Sequence, residues 1–369
     1  MIPLNDLSRE IEQLKPELDN AFNSFMAAGW MVNGSNCEKF ESELAAYLGI
    51  EHAIGVANGT DALRLAMLAI GLEAGDLVAM TGNAGGYSAV AALSIGAVPA
   101  WFDVRPNGQA NVDSFVELVS EAARASKSVK AVVITHLFGQ MADVGAIVRE
   151  AEKHGIKVIE DCAQALGAKV DEHLAGTLSD IATLSFYPTK NLGALGDAGA
   201  VVTKSNFLAG RVKSLKQYGW SQKYHNTEPL GFNSRLDEIQ AAFLRVKFPM
   251  LDQWNVRRVE IMRSFDEAAP SWLERVIDFE VGYNGHLAPF KALLGERTKV
   301  RAWFTDLGIA TEVHYPLADF DQVGLSGLRL VSLSETSDFC QRVFSLPLFP
   351  HLTSDEVSAI TRGLARLNG

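Results

Sequence analysis

Between about residues 50 and 205, short apolar runs alternate with stretches whose apolar positions recur every three or four residues. "HAIGVAN", "DLVAMTG", "VPAWFDV", "KAVVITHLFG", "KVIEDCAQ", "IATLSFYP" and "GAVVTK" have strand length and little alternation. Between them, "TDALRLAMLAIG" puts Leu63, Met67 and Ile70 on one helical face and stops at a glycine. "YSAVAALSIGA" and the stretch Val144–His154 read as further helices. Unbroken apolar strands separated by helices predict a largely parallel sheet covered on both faces. Ligands of such sheets bind beyond the carboxyl ends of the strands, and Asn58, Asp161 and Lys190 all stand at such ends.

Farther on, Leu236, Ile239, Phe243 and Val246 predict a helix over Ser234–Pro249, closed by the proline. The pattern then changes to helix, the strand-like "GHLAPFKAL", helix and "ATEVHYPL". The expectation is a large domain over residues 1–250 and a smaller α+β domain over 251–369, with an N-terminal segment packing towards the small one. Their boundary is soft, because a helix can run on through "LDQWNVRRVEIMRSF".

With 369 residues, 48% of them apolar, the chain can bury a sizeable core. Its 33 basic and 44 acidic side chains leave a net charge of −11, which argues against a nucleic-acid or anionic-membrane partner. Cys37, Cys162 and Cys340 form no disulfide framework and no metal-ligand spacing. A polar start and no long apolar run point to the cytosol.

"NGTDAL" opens a helix with a glycine and a threonine, a place where free backbone amides favour an anion. The same residues also make an ordinary helix cap. Asp161 ends a buried strand, where a carboxylate is costly unless paired. It reads as a cap, an ion-pair partner, or the group that keeps a heterocyclic nitrogen protonated. Gln164, three residues on, reaches the same ligand. Lys190, in "SFYPTKNLG", is either a solvated loop lysine or an enclosed amine that loses its proton and condenses with an aldehyde. Taken together, an anion cradle, an acid and a lysine at one edge of one sheet form the inventory that pyridoxal phosphate requires. Neither GxxxxGK nor GxGxxG occurs, so these two nucleotide loops are absent.

"NGTDAL", "HLFGQMADV", "VIEDCAQALGA", "SFYPTKNLGALGDAGAVV", "GFNSRLDEIQAAFLRVK", "GIATEVHYPL" and "LPLFPHLT" resemble, in order and over nearly the whole chain, the DegT/DnrJ/EryC1/StrS family of sugar aminotransferases. That resemblance implies an α/β fold of type I among pyridoxal-phosphate enzymes, with a mixed, mostly parallel seven-stranded sheet. It implies that Lys190 holds the cofactor as a Schiff base, that Asp161 pairs with the pyridine nitrogen, and that Gln164 lies near the ring hydroxyl. Gly59, Thr60 and Ser185 would bind the phosphate, Asn58 would stand beside them at the cofactor, and Asn233 would reach the phosphate of a neighbouring subunit. Shared active sites in a homodimer follow. The family usually has serine where Asn58 stands, which leaves the backbone donors in place. Tyr87 would stack on the cofactor, although "GNAGGYSAV" departs from the commoner pattern and a packed tyrosine serves as well.

The substrate side of the resemblance lies in "KQYGWSQKYH" and "ATEVHYPL". Tyr187, Tyr218, Trp220, Lys223, Tyr224, His314 and Tyr315 are the expected contacts to a nucleotide-linked keto sugar, with L-glutamate as amino donor. For Trp220 a packing role in an interface is the alternative. No second ligand stands at metal spacing from His314. The enzymes most resembled aminate C-3 of dTDP-linked 3-keto-6-deoxyhexoses. Alternatives are the same chemistry at C-4, a dehydratase of the same fold, and a non-catalytic sensor. Dehydratases of that branch replace the lysine by histidine, so Lys190 counts against them.

Overall fold

The structure, a computed structural model, describes residues 1–367. Its central sheet contains the seven expected strands: β1 (His52–Val56), β2 (Leu77–Thr81), β3 (Val98–Phe102), β4 (Val129–Thr135), β5 (Lys157–Asp161), β6 (Ile181–Ser185) and β7 (Gly199–Thr203). They lie in the order β1-β7-β6-β5-β4-β2-β3, and an eighth, two-residue strand, Leu328–Arg329, extends the sheet beyond β3. Only β7 runs against its neighbours. The carboxyl ends of β1, β2, β4, β5 and β6 therefore share one edge, which the first residue of β7 joins opposite Val56.

Helix Gly59–Ala69 is buried on more than the predicted face, because it lies between the sheet and helices Tyr87–Ser94 and Asn206–Leu215. Leu65, Ala66 and Met67 are wholly enclosed there. Each such Leu or Met stabilises the fold by about 1.5–3 kcal/mol.

The helix expected from Ser234 begins at Glu238 instead. Residues 234–237 stay extended because backbone bonding claims them. Asn233 bridges to Gln217, Asp237 bridges to Val32, and the Ser234 amide donates to Lys216 O at 3.0 Å. Pro249 does not close the path either. A short 3-10 turn, Phe248–Met250, leads straight into helix Leu251–Ala268. Leu251 packs in the core beneath the sheet, whereas Ile261, Met262 and Phe265 pack in the second core.

That second core surrounds a three-stranded antiparallel sheet of Glu274–Arg275, Ala288–Lys291 and Val343–Leu346. Helices Arg297–Asp306 and Ser354–Ala365 cover it. Between these elements the chain returns to the large sheet: Ala318, Phe320, Leu325 and Leu333 join its core, just before and after strand Leu328–Arg329. "ATEVHYPL" holds a single bridge, from Glu312 to Ser345. Among the described residues no helix is long and apolar enough to cross a membrane.

Candidate active site

A cavity of about 610 Å³ opens at the shared strand edge. Asn58, Gly59, Thr60, Tyr87, Asp161, Gln164, Ser185, Tyr187, Lys190, His314 and Tyr315 all line it.

Asn58 caps helix Gly59–Ala69, its Oδ1 accepting the Asp61 amide at 2.8 Å. The Ala62 amide bonds back to Asn58 O, so the amides of Gly59 and Thr60 are left as the open donors of this helix start. A Cβ built on Gly59 would stand 2.8 Å from Ser185 Cβ. Glycine thus lets the helix start close upon Ser185, and the two form one cradle of amides and hydroxyls suited to a phosphate.

Asp161 is buried; Oδ1 accepts the Ala163 amide at 3.1 Å and Oδ2 the Thr135 hydroxyl at 3.4 Å. Burial raises its carboxyl above the usual value, against the pull of that amide and of the Lys190 charge. Lys190 is partly covered along its length, and its amine lies in enclosed surroundings. Burial lowers that amine from 10.5 to about 8, while Asp161 holds it from falling farther. A cation between them, such as a protonated ring nitrogen, would satisfy the acid and leave the amine neutral.

The turn carrying Lys190 is tied down from below. Asn191 Nδ2 donates to Asn255 Oδ1 at 2.7 Å and to Asn284 O at 3.0 Å, so its Oδ1 faces His286 Nδ1 at 2.9 Å. His286 therefore carries its proton on Nδ1. Burial, then the charges of Lys190 and Arg258, keep this ring neutral. Its imidazole forms part of the cavity wall. Buried Lys247 donates to Gly193 O at 2.8 Å and pairs with Glu10 at 2.6 Å, which anchors the far side of the turn.

Gln164 Oε1 accepts the Phe138 amide at 2.6 Å, and its Nε2 donates to the Tyr315 hydroxyl at 3.4 Å. Tyr315 meets Tyr87 edge to face, with ring centres 6.3 Å apart. Tyr87 and Tyr187 are half exposed. His314 bonds to Ser345 Oγ at 3.1 Å, and burial lowers its ring to about 4.

Five expected residues do not line this cavity. Tyr218, Trp220, Lys223 and Tyr224 gather on the exposed hairpin Trp220–Gln222/His225–Asn226. There the ring centres of Tyr218 and Trp220 lie 5.0 Å apart, those of Trp220 and Tyr224 5.4 Å apart, and Lys223 Nζ sits over Tyr224. Asn233 is exposed beside the hairpin's base.

Conversely, sequence reasoning passed over Leu4, Asn5, Thr189, Asp197, His286 and Leu348, all in the cavity wall. It also missed His136 and Glu160, which meet within the sheet beneath Asp161. Glu160 accepts from His136 Nε2 and from the amides of Gly176, Leu178 and Ser179, each at 3.0 Å. Burial would raise this carboxyl, but those donors hold it below the ordinary value. Cys162 completes a cluster that metals could favour, yet His136 Nδ1 already accepts the Ala142 amide, so both its nitrogens are engaged. The only advance sign was an acid inside an apolar strand.

The sequence pattern of the DegT/DnrJ/EryC1/StrS aminotransferase family matches residues 12–365. The chain belongs to that family. It is 36% identical to the dTDP-3-amino-3,6-dideoxy-alpha-D-galactopyranose transaminase of Aneurinibacillus thermoaerophilus, over 99% of both chains. A "pleiotropic regulatory protein" of Geobacillus stearothermophilus is likewise 36% identical, over 99% of this chain and 98% of its own. The UDP-N-acetyl-3-dehydro-alpha-D-glucosamine 3-aminotransferase of Acidithiobacillus ferrooxidans is 33% identical, over 99% and 97%. Among solved structures, S. venezuelae DesV in complex with a ketimine intermediate superposes with a TM-score of 0.92 at 32% identity, covering 99% of this chain and 97% of that one. NtdA of Bacillus subtilis, bound to the cofactor PMP, gives a TM-score of 0.90 at 28% identity over 98% and 84%. Members of the DegT/DnrJ/EryC1/StrS family are pyridoxal-phosphate-dependent sugar aminotransferases, and the chemistry of the cavity fits that cofactor.

Proposed function

We propose that this enzyme moves an amino group from L-glutamate to C-3 of a dTDP-linked 3-keto-6-deoxyhexose, giving a dTDP-3-amino-3,6-dideoxyhexose. What supports this reading is end-to-end similarity to a transaminase named for that product class, combined with Tyr187, His314 and Tyr315 in the cavity that holds Lys190. The relative that acts on a UDP sugar is also named for position 3, which favours C-3 over C-4 and leaves the nucleotide to experiment.

In this reading the amides of Gly59 and Thr60 and the hydroxyl of Ser185 hold the phosphate. Asp161 Oδ keeps the ring nitrogen charged, and Gln164 and Tyr87 fix the ring's edge and face. When bound, pyridoxal phosphate supplies an electron-poor ring that spreads the charge left on the carbon next to the transferred nitrogen. Lys190 Nζ is the proton carrier. Its value of about 8 keeps a useful neutral fraction near pH 7.5, so it can take a proton from donor carbon and return it.

The enzyme works as a homodimer with shared sites. Trp30 is 62% exposed, Met26 57% and Tyr224 76%. Trp30 stands two residues before Val32, which bridges to Asp237, and exposed apolar side chains of this kind suit the face of a second copy. Across it, Asn233 and the hairpin residues serve the partner's cavity.

Purified enzyme given L-glutamate and dTDP-, UDP- and GDP-linked 3-keto and 4-keto sugars decides the matter, with product position read by NMR. Turnover confined to the dTDP-linked 3-keto sugar is the expected result; preference for a 4-keto or UDP-linked sugar would replace this reading.

A further inference from the structure

The loop between β2 and helix Tyr87–Ser94 carries two consecutive glycines in the left-handed region, Gly85 at φ +79° and Gly86 at φ +78°. Successive amides in such a turn point the same way and suit one anion. The group that meets them comes from the far end of the sequence. Asp319, 1% exposed, accepts the Ala84 amide on Oδ2 at 3.2 Å, and the amides of Gly85 and Gly86 also face its carboxylate. Its own amide donates to Gly82 O at 2.7 Å, and Gln322 Nε2 donates to Oδ1 at 3.4 Å.

Four residues before Asp319, the Tyr315 ring packs against this turn. A Cβ on Gly85 would stand 2.9 Å from Tyr315 Cε1 and Cζ, and one on Gly86 would stand 2.5 Å from Leu325 Cδ1. Segment 315–325 therefore grips the glycine turn through one charge and two side-chain contacts. The residue that follows the turn is Tyr87, whose ring meets Tyr315 in the cavity wall.

We propose that Asp319 is a positioning residue for the sugar acceptor, a latch that sets the Tyr87–Tyr315 wall by holding the turn before Tyr87. This rests on the cavity being the aminotransferase site. Burial pushes the Asp319 carboxyl up to about 6, and the three amides keep it from rising farther. The ionisable groups facing it are Tyr315 on its own segment and the Cys340 thiol of helix Ser334–Arg342. Asp321, two residues on, is paired with Arg329. None of these gives it a cation, so the latch is charged above about pH 7 and loosens as pH falls through about 6.

Two measurements on the full-length holoenzyme test this. Hydrogen exchange of a peptide covering Gly82–Ser88 reads the turn without substrate. Acceptor KM and kcat between pH 5 and 8 read its consequence. In the wild type, exchange relative to the intrinsic rate and acceptor KM should both rise as pH drops through 6. Asp319→Asn should exchange about tenfold faster at pH 7.5 and raise acceptor KM about tenfold, with no pH step in either. Gly85→Ala crowds Tyr315 and strains the turn whose amides face Asp319, so it should raise acceptor KM at every pH. Unchanged exchange in Asp319→Asn overturns the latch. Changed exchange with an unchanged KM overturns its role in acceptor binding. Should no sugar be turned over by the wild type, the functional reading fails, while the exchange arm still judges the latch.

Discussion

The Lys190 amine is an enclosed cation with Asp161 to answer it, and this has a consequence for stability as well as for chemistry. Its folded value of about 8 lies below the 10.5 of a free lysine. Below pH 8 the folded protein carries the charge at a cost that the unfolded chain does not have. As pH rises from 8 to 10.5 the folded state sheds the proton first and the cost disappears. Lys190→Met should therefore abolish turnover yet make the cofactor-free protein more stable to urea at pH 7, with the gain gone near pH 10.5. A cofactor-free variant no more stable than the wild type at pH 7 would mean that the amine is well solvated. The gathering of Lys190, Asp161 and Gly59 in one cavity was legible because each stands where a strand end or a helix start must place it. His286 and Asp319 were not, because each acts on residues 95 and more than 200 positions away, contacts that no local pattern encodes.

At the level of elements, the apolar runs identified all seven main strands, since buried parallel strands need unbroken hydrophobic sequence. Boundaries failed where backbone bonding competed with propensity. Leu236 has helical spacing but serves an extended segment, and packs against Gly55 of β1, where a Cβ would stand 2.8 Å from Leu236 Cδ2. The same strand shows how side chains finish what a ladder leaves open. Glu41 Oε1 accepts the Gly55 amide at 2.7 Å and buried Lys216 Nζ donates to Gly55 O at 2.7 Å. Burial lowers the Lys216 amine, against the charge of Glu41 at 3.5 Å. Lys216→Met keeps the stem and removes the donor, so Gly55 O and Glu41 lose their partner. The expected cost is about 2–3 kcal/mol, read as a lower urea midpoint with an unchanged slope.

For the whole molecule, the reading of five expected residues depends on a second copy, because Asn233 and the hairpin lie outside the cavity of their own chain. Lys190→Ala and Asn233→Ala should each be inactive alone, and co-refolding them in equal amounts should restore about a quarter of wild-type activity. Random pairing makes half of the dimers mixed, and each of these has one intact site of two. No recovery would place Asn233 in its own chain's chemistry or in none.

The two rims of the central sheet are guarded by different means. On the β1 side Glu41 and Lys216 occupy the backbone groups themselves. On the β3 side the guard is Leu328–Arg329, borrowed from the part of the chain beyond residue 250. If heat frees that part first, Val98–Phe102, with Trp101 and Phe102 in its run, becomes a bare template for strands of other molecules. Thermal inactivation would then be one-way and faster at higher protein concentration, beginning as clumping before the large sheet itself comes apart.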